Sequence, residues 1–127
     1  KYHTILIMDI SNIDIIFGDD IMAREQFKNL TEPMYYILLA LSEPQHGYGI
    51  MQEVERRTEG RVKIGAGTLY NLLSRFEEEK FIVQLSEENR RKTYTLTDEG
   101  INILTEEYQR LKQLVSDGSD FLEGRVR

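Results

Sequence analysis

The most regular hydrophobic pattern of the chain lies near its centre. After the small residues 65–67, apolar side chains recur at the positions that share one face of an amphipathic helix, namely Leu69, Leu72, Leu73 and Phe76. The other face is uncharged or basic until a run of three glutamates, and it carries Thr68, Tyr70, Asn71, Ser74 and Arg75. We therefore predict a helix with one packed and one free face, and we expect Glu77, Glu78 and Glu79 to point away from whatever the free face contacts.

Two shorter helices are predicted before it. Residues 31–41 are apolar nearly all round, which indicates a buried helix, with Thr31 as N-cap and Pro33 in the first turn, where no amide hydrogen is needed. Residues 42–45 end this helix. A second helix is predicted from about His46 to Thr58, with Ile50, Met51 and Val54 on one face, and Glu59-Gly60 closes it.

Two β-type runs, residues 81–85 and 93–96, follow the central helix. The segment 87–92 joins them, so we predict a hairpin whose basic tip contains Arg90, Arg91 and Lys92. Residues 97–99 then place hydrogen-bond acceptors and negative charge at the start of a long final helix. Its apolar residues follow the a/d spacing of a coiled coil, Ile101, Leu104, Tyr108, Leu111 and Val115. Such a seam needs a partner helix, which predicts a homodimer.

The first 21 residues differ from the rest in being rich in Ile and Asp. The alternation between Ile5 and Phe17 is compatible with a small hairpin. We prefer the interpretation that Met22, followed by a polar run, is the natural start and that residues 1–21 are an extension. The expected organisation is this extension, a winged helix domain over 22–97, and a dimerisation helix and tail over 98–127.

Composition excludes several classes of site. The chain of 127 residues has no cysteine and two histidines, so we expect no metal site and no cofactor. No nucleophile has an orienting base, and no Gly-rich phosphate loop is present, so an enzyme is not expected. No apolar run approaches the roughly 20 residues that span a bilayer, and no secretion signal is apparent. We expect a cytoplasmic protein that does not bind membranes.

The net charge of −6 looks unsuitable for a nucleic-acid binder until it is divided along the chain. Residues 1–45 carry three Lys/Arg against seven Asp/Glu, residues 46–96 carry nine against eight, and residues 97–127 carry four against seven. A mildly basic centre between acidic ends suits a DNA-binding module, because phosphate binding needs local positive charge.

The order of the predicted elements is three helices, a two-stranded hairpin and a long helix. The predicted fold is therefore mainly α with a small β-hairpin, a winged helix-turn-helix with a C-terminal dimerisation helix. In this fold the third helix enters the major groove of double-stranded DNA and the hairpin lies along an adjacent backbone or minor groove. The alternative, favoured by the acidic total charge, is a winged-helix protein-interaction module that does not bind DNA.

Four short motifs carry a family resemblance. They are His46-Gly47-Tyr48-Gly49-Ile50, Gly67-Thr68-Leu69-Tyr70, the run LSRFEEEKF over 73–81, and residues 94–100, Tyr-Thr-Leu-Thr-Asp-Glu-Gly. In this order and spacing they resemble the PadR family over about residues 30–118. The resemblance implies a homodimeric repressor that blocks promoter access and is released by a small-molecule effector. Family members often have proline where this chain has Asn71, and a Gly-Arg-x-x-Lys wing where it has residues 89–92.

Candidate contact residues follow from the fold and the resemblance. The predicted DNA-binding residues are His46, Tyr48, Thr68, Tyr70, Asn71, Ser74, Arg75, Arg90, Arg91 and Lys92. Tyr70 and Asn71 are the main candidates for base contact, because asparagine pairs bidentately with adenine and tyrosine can contact a thymine methyl or a phosphate. By resemblance to family members that sense aromatic acids or drugs, some residues could line an effector cavity at the dimer interface, namely Phe27, Tyr35, Tyr36, Leu104, Tyr108 and Leu111. A plain core role is the preferred interpretation for these residues.

Overall fold

The computed structural model describes residues 29–126, and the predicted N-terminal extension and Phe27 lie outside them. Six of its seven elements follow the predicted order, and β1 is additional. The bounds are α1 (Glu32–Ala40), β1 (Gln45–His46), α2 (Gly47–Arg57), α3 (Ala66–Glu78), β2 (Ile82–Glu88), β3 (Arg91–Leu96) and α4 (Asp98–Val126). Within this part of the chain, no helix is both long enough and apolar enough to cross a bilayer.

Local sequence explains where the first helices begin. The Thr31 hydroxyl accepts a hydrogen bond from the Met34 amide at 3.3 Å, which confirms the predicted N-cap of α1. At the start of α2, Nδ1 of His46 accepts from the Gly49 amide at 3.2 Å. Gly65 provides the N-cap of α3 without a side-chain hydrogen bond.

The core lies between α1, α2, α3 and the sheet. It contains the predicted apolar face of α3, together with Ile37, Leu38, Leu41, Ile50 and Val54, and each of these side chains is nearly or fully buried. Burial of this many aliphatic and aromatic groups supplies the main driving force for folding. The fold is thus the mainly helical one predicted from the periodicity.

The loop between α2 and α3 is held from inside by Thr58. This residue is 1% exposed, and its hydroxyl lies 2.8 Å from the Val54 carbonyl and 3.1 Å from the Val62 amide. The chain leaves the helix through Glu59 and Gly60, whose φ angles are 51° and 79°. The Thr58 hydroxyl therefore fixes the path of the segment that leads into α3.

The sheet differs from the predicted hairpin in two ways. It has three antiparallel strands in the order β1-β3-β2, because Gln45 and His46, expected to form the end of the first loop and the start of a helix, pair with Tyr94 and Thr93. The hairpin strands are also longer than predicted, and the turn consists of Asn89 and Arg90, with φ angles of 52° and 66°. Positive φ at both central positions is typical of a type I′ turn.

α4 is joined to the sheet without a flexible linker, since Thr97 alone separates it from β3. The Thr97 hydroxyl donates to the Lys80 carbonyl at 2.6 Å and accepts from the Gly100 amide at 3.0 Å. The Thr97 amide donates to the Phe81 carbonyl at 3.0 Å. This cap therefore ties the first turn of the long helix to the end of α3 and the start of β2.

Candidate nucleic-acid interface

A groove of about 400 Å³ runs between α3, the amino end of α2 and the hairpin. We call it the basic groove. The side chains and backbone that line it are His46, Gly47, Tyr48, Tyr70, Leu73, Ser74, Glu77, Arg90, Arg91, Lys92 and Tyr94. Seven of the ten residues predicted to bind DNA thus come together, although they come from separate parts of the sequence.

Three predicted DNA-binding residues do not line this groove. Thr68 and Asn71 are exposed on α3, and Arg75 is half-buried on the same helix. They belong to the free face of α3 rather than to its junction with the hairpin. The polar face of α3 therefore has two parts, one that faces the hairpin and one that lies outside the groove.

Four groove residues were not among the predicted contact residues, namely Gly47, Leu73, Glu77 and Tyr94. The expectation that all three glutamates of α3 point away is wrong for Glu77, which is half-buried and lines the groove. It follows Ser74 by three residues and Tyr70 by seven, and this helical spacing is the signal that could have found it. Tyr94, which is 5% exposed, forms part of the groove and belongs to the core.

His46 lines the groove and belongs to two elements of the fold. Its backbone lies in β1 opposite Thr93, and its ring nitrogen Nδ1 accepts from the Gly49 amide. Because Nδ1 uses its lone pair in this cap, the proton of the neutral ring is on Nε2. The ring therefore offers an N–H donor, Nε2–H, in addition to its capping role.

Two tyrosines lie near the amino end of α2, one from α2 itself and one from α3. Tyr48 is 57% exposed and Tyr70 is 51% exposed, and both line the groove. The Tyr70 ring lies directly against Gly47, where a Cβ would come within 2.5 Å of the Tyr70 hydroxyl oxygen. Glycine at position 47 therefore allows the α3 tyrosine to pack against the first turn of α2.

The cations of the hairpin are placed differently from the prediction. Arg90 is in the turn, whereas Arg91 and Lys92 belong to β3, where their register partners are Glu88 and Glu87. The polar residues at the outer ends of β2 and β3 pair through their backbones. The hairpin is therefore longer than the apolar runs from which it was predicted. Among the side chains described, those of residues 29–124, none of the three cations forms an ion pair, and all three are exposed.

The groove contains both positively and negatively charged side chains. Burial raises the pKa of Tyr94, and the carboxylate of Glu77 raises it further, with smaller effects from Tyr70 and Glu87. The phenol therefore stays neutral at physiological pH. The groove combines three exposed cations with hydroxyl and imidazole donors, an arrangement suited to phosphate oxygens. No set of three or more histidine, cysteine or acidic residues in the described part of the chain is placed to hold a metal.

A second groove, of about 500 Å³, lies between α1 and the distal part of α4. We call it the aromatic groove, and its lining residues are Tyr35, Tyr108, Leu111, Lys112, Val115, Ser116, Ser119 and Asp120. Tyr36 is not among them. It packs edge-on against Tyr35 with ring centroids 6.0 Å apart. Burial raises the pKa of Tyr35, with contributions from Tyr108, Glu107 and Tyr36.

The predicted seam of α4 is partly open in the single chain. Ile101 and Tyr108 are each 49% exposed and Val115 is 71% exposed, whereas Leu104 and Leu111 are half-buried. Nearby, Glu107 is 2% exposed and accepts hydrogen bonds from Arg110 at 2.6 and 2.9 Å. One side of α4 thus packs on the rest of the described protomer, while a row of its apolar side chains is exposed among the residues that the structure describes.

Comparison with known proteins identifies relatives of this chain. The model of the Transcriptional regulator PadR-like family matches residues 37–106. Uncharacterized protein X of Lysinibacillus sphaericus is 30% identical over 93 residues, which cover 68% of this chain and 83% of that protein. The 37.1 kDa protein in transposon TN4556 of Streptomyces fradiae is 33% identical over 79 residues, which cover 61% of this chain but only 22% of that relative.

A solved structure supports the same family. The PadR-like transcriptional regulator of Bacillus cereus strain ATCC 14579 superposes with a TM-score of 0.59 at 27% sequence identity. The alignment covers 71% of this chain and 90% of that one. The likeness extends over nearly the whole length of the solved regulator, so the predicted winged-helix fold and the family resemblance are confirmed.

Proposed function

Because the chain belongs to the PadR-like family of transcriptional regulators, which are not enzymes, we propose that it recognises specific DNA sequences through the basic groove and the exposed face of α3. The observation that carries this proposal is the convergence of cationic, aromatic and hydroxyl side chains from separate segments on one groove. In the proposed complex α3 lies in the major groove, and the hairpin follows the adjacent phosphate backbone.

The two parts of the α3 face have different tasks in this proposal. Arg90, Arg91 and Lys92 bind phosphates, together with Tyr48 and Nε2 of His46, and so position the protein on any duplex. The part outside the groove, with the exposed Thr68 and Asn71 and the half-buried Arg75, approaches base edges, where asparagine recognises adenine. Tyr70 and Ser74 lie between the two regions and contact either the backbone or the edge of a base.

The phosphate-binding role is tested by removing one groove cation. Arg91→Ala should weaken binding to all duplexes and lower the slope of log K against log salt by about 0.9 for one lost phosphate contact. Lys80→Ala is the matched control, because Lys80 is exposed, carries the same charge and does not line the groove. Fluorescence anisotropy at several salt concentrations measures both. Equal slopes for the two variants would show that DNA does not occupy the basic groove.

Base recognition is tested at Asn71 with a duplex selected by the wild-type protein from a random pool. Asn71→Ala should cost roughly 1–3 kcal/mol on the selected duplex and little on a scrambled one, because a base contact contributes only where its partner base is present. A loss of equal size on both duplexes, or on neither, contradicts the assignment of Asn71 to base recognition.

The protein acts as a homodimer in this proposal, with the α4 seam of Ile101, Leu104, Tyr108, Leu111 and Val115 as its interface. The exposed apolar row on α4 supports this, since an uncovered stripe of this kind favours association. Val115→Glu is the sharpest test, because this side chain is 71% exposed and its replacement leaves the protomer core intact. Light scattering after size exclusion should show a loss of dimer, whereas Gln109→Glu, next to the seam, should not change the mass. If Val115→Glu remains a dimer, as Gln109→Glu should, the proposed interface is refuted.

The aromatic groove supports a proposal about regulation. It combines Tyr35 with three residues of the seam itself, Tyr108, Leu111 and Val115. A planar aromatic effector bound there would therefore alter the dimer geometry and release DNA. Repression then results from occupancy of the promoter by the free dimer. Titration of aromatic acids and planar drugs should lower DNA affinity in the same concentration range in which they quench tyrosine fluorescence. Quenching with no change in DNA affinity would contradict this coupling.

A further inference from the structure

The basic groove contains one acidic side chain among its cations. Glu77 lies on the same face of α3 as Tyr70 and Ser74 and lines the groove opposite Arg90, Arg91 and Lys92. Its two acidic neighbours are placed elsewhere, since Glu78 is exposed outside the groove and Glu79 caps the end of the helix. The negative charge at position 77 is therefore a feature of the groove and not of the solvated helix end.

The carboxylate of Glu77 is not neutralised by a neighbour. Within residues 29–124 its side chain has no hydrogen bond and no ion pair, although three cations share its groove. The pKa of the buried Tyr94 phenol is raised mainly by burial, and the charge of Glu77 raises it further. An uncompensated carboxylate in a partly buried position repels a phosphate more strongly than one in open solvent, because the local dielectric constant is lower.

We propose that Glu77 is a specificity-determining residue that lowers the affinity of the basic groove for DNA of unrelated sequence. The inference rests on the proposed function, in which phosphates occupy this groove. In a cognate complex the base contacts of α3 fix the register and hold phosphates near the hairpin cations. A non-specific complex has no fixed register, so its phosphates move through the whole groove and meet the carboxylate. Specificity is a difference between affinities, and a repulsion that acts mainly on the wrong complexes increases it.

The test compares two substitutions that change the net charge by the same amount. Glu77→Gln removes the groove carboxylate and keeps the side-chain shape, and Glu78→Gln removes the charge of the adjacent exposed residue. Binding is measured by fluorescence anisotropy with a 30-bp duplex of random sequence and with a duplex selected by the wild-type protein. We expect Glu77→Gln to bind the random duplex about 3–10-fold more tightly and the selected duplex less than about 2-fold more tightly. Glu78→Gln should change either affinity by less than about 2-fold.

Each outcome decides between the inference and the function on which it rests. If both variants gain the same affinity for the random duplex, only the total charge matters. If Glu77→Gln loses affinity for the selected duplex, the carboxylate makes a favourable contact there. Either result overturns the inference. Arg91→Ala is measured on the same random duplex to separate the two hypotheses. If it weakens binding while Glu77→Gln behaves like Glu78→Gln, the groove binds DNA and only the role of Glu77 is wrong. If Arg91→Ala has no effect, the proposed function itself fails.

Discussion

Thr58 offers a quantitative test of how the fold positions α3. Its hydroxyl donates to the Val54 carbonyl at 2.8 Å and accepts from the Val62 amide at 3.1 Å. Thr58→Val replaces the hydroxyl with a methyl group of similar size, so the effect is confined to hydrogen bonding. The Val54 carbonyl still accepts from the backbone amide of residue 58 at 3.1 Å, whereas the Val62 amide loses its partner. One buried unsatisfied donor costs about 1–3 kcal/mol, and we expect a loss of about 2 kcal/mol in the free energy of unfolding.

Urea denaturation at a fixed protein concentration measures this loss, because the stability of the proposed dimer would depend on concentration. The matched control is Thr58→Ser, which keeps the hydroxyl and removes one methyl group, at a cost of about 1 kcal/mol. The valine variant should also bind the selected duplex more weakly, since the segment that leads into α3 is no longer anchored. If the valine variant is as stable as the serine variant, the hydroxyl does not hold this loop and the reasoning is refuted.

Further predictions concern Gly100 and Gly47, which lie at two junctions of the fold where another element approaches closely. Gly100→Ala should cost about 1–3 kcal/mol, because a Cβ there would collide with the Phe81 backbone carbonyl, whereas Gly118→Ala, with open space around it on the same helix, should stabilise by roughly 0.5–1 kcal/mol. Urea denaturation compares the two, and equal effects would contradict the close approach at Gly100. Gly47→Ala should displace the Tyr70 side chain and weaken binding to the selected duplex several-fold at nearly unchanged thermal stability. Unchanged affinity in an anisotropy titration would show that the position of Tyr70 is irrelevant to binding.

The elements that sequence analysis located well are those whose burial follows a helical period. Leu69, Leu72, Leu73 and Phe76 face the core as predicted, because a helix of this length cannot bury any other face of this sequence. The N-cap at Thr31 was equally predictable from the sequence, because capping depends on residues within one helical turn. Local chemistry was sufficient in both cases.

The features that were missed depend on contacts between distant residues. β1 has two residues and exists only because Gln45 and His46 pair with β3, so no local pattern predicts it. The outer part of the hairpin consists of charged residues that pair through their backbones, and its turn uses Asn89 and Arg90 rather than the usual glycine. The place of Glu77 in the basic groove likewise depends on where the hairpin folds relative to α3.

Because the hydrogen bonds of Thr97 fix its first turn, α4 transmits any change in its tilt to the winged domain. With 29 residues at about 1.5 Å each, the helix is about 44 Å long, and its first turn is fixed to the winged domain. In the proposed dimer, a change of about 5° in the tilt of one helix about its far end moves the attached domain by about 4 Å. This is close to the rise of about 3.4 Å between successive base pairs. A rearrangement of a few side chains at the seam would thus shift the contacts of one α3 by about one base pair, enough to bring the two half-sites out of register.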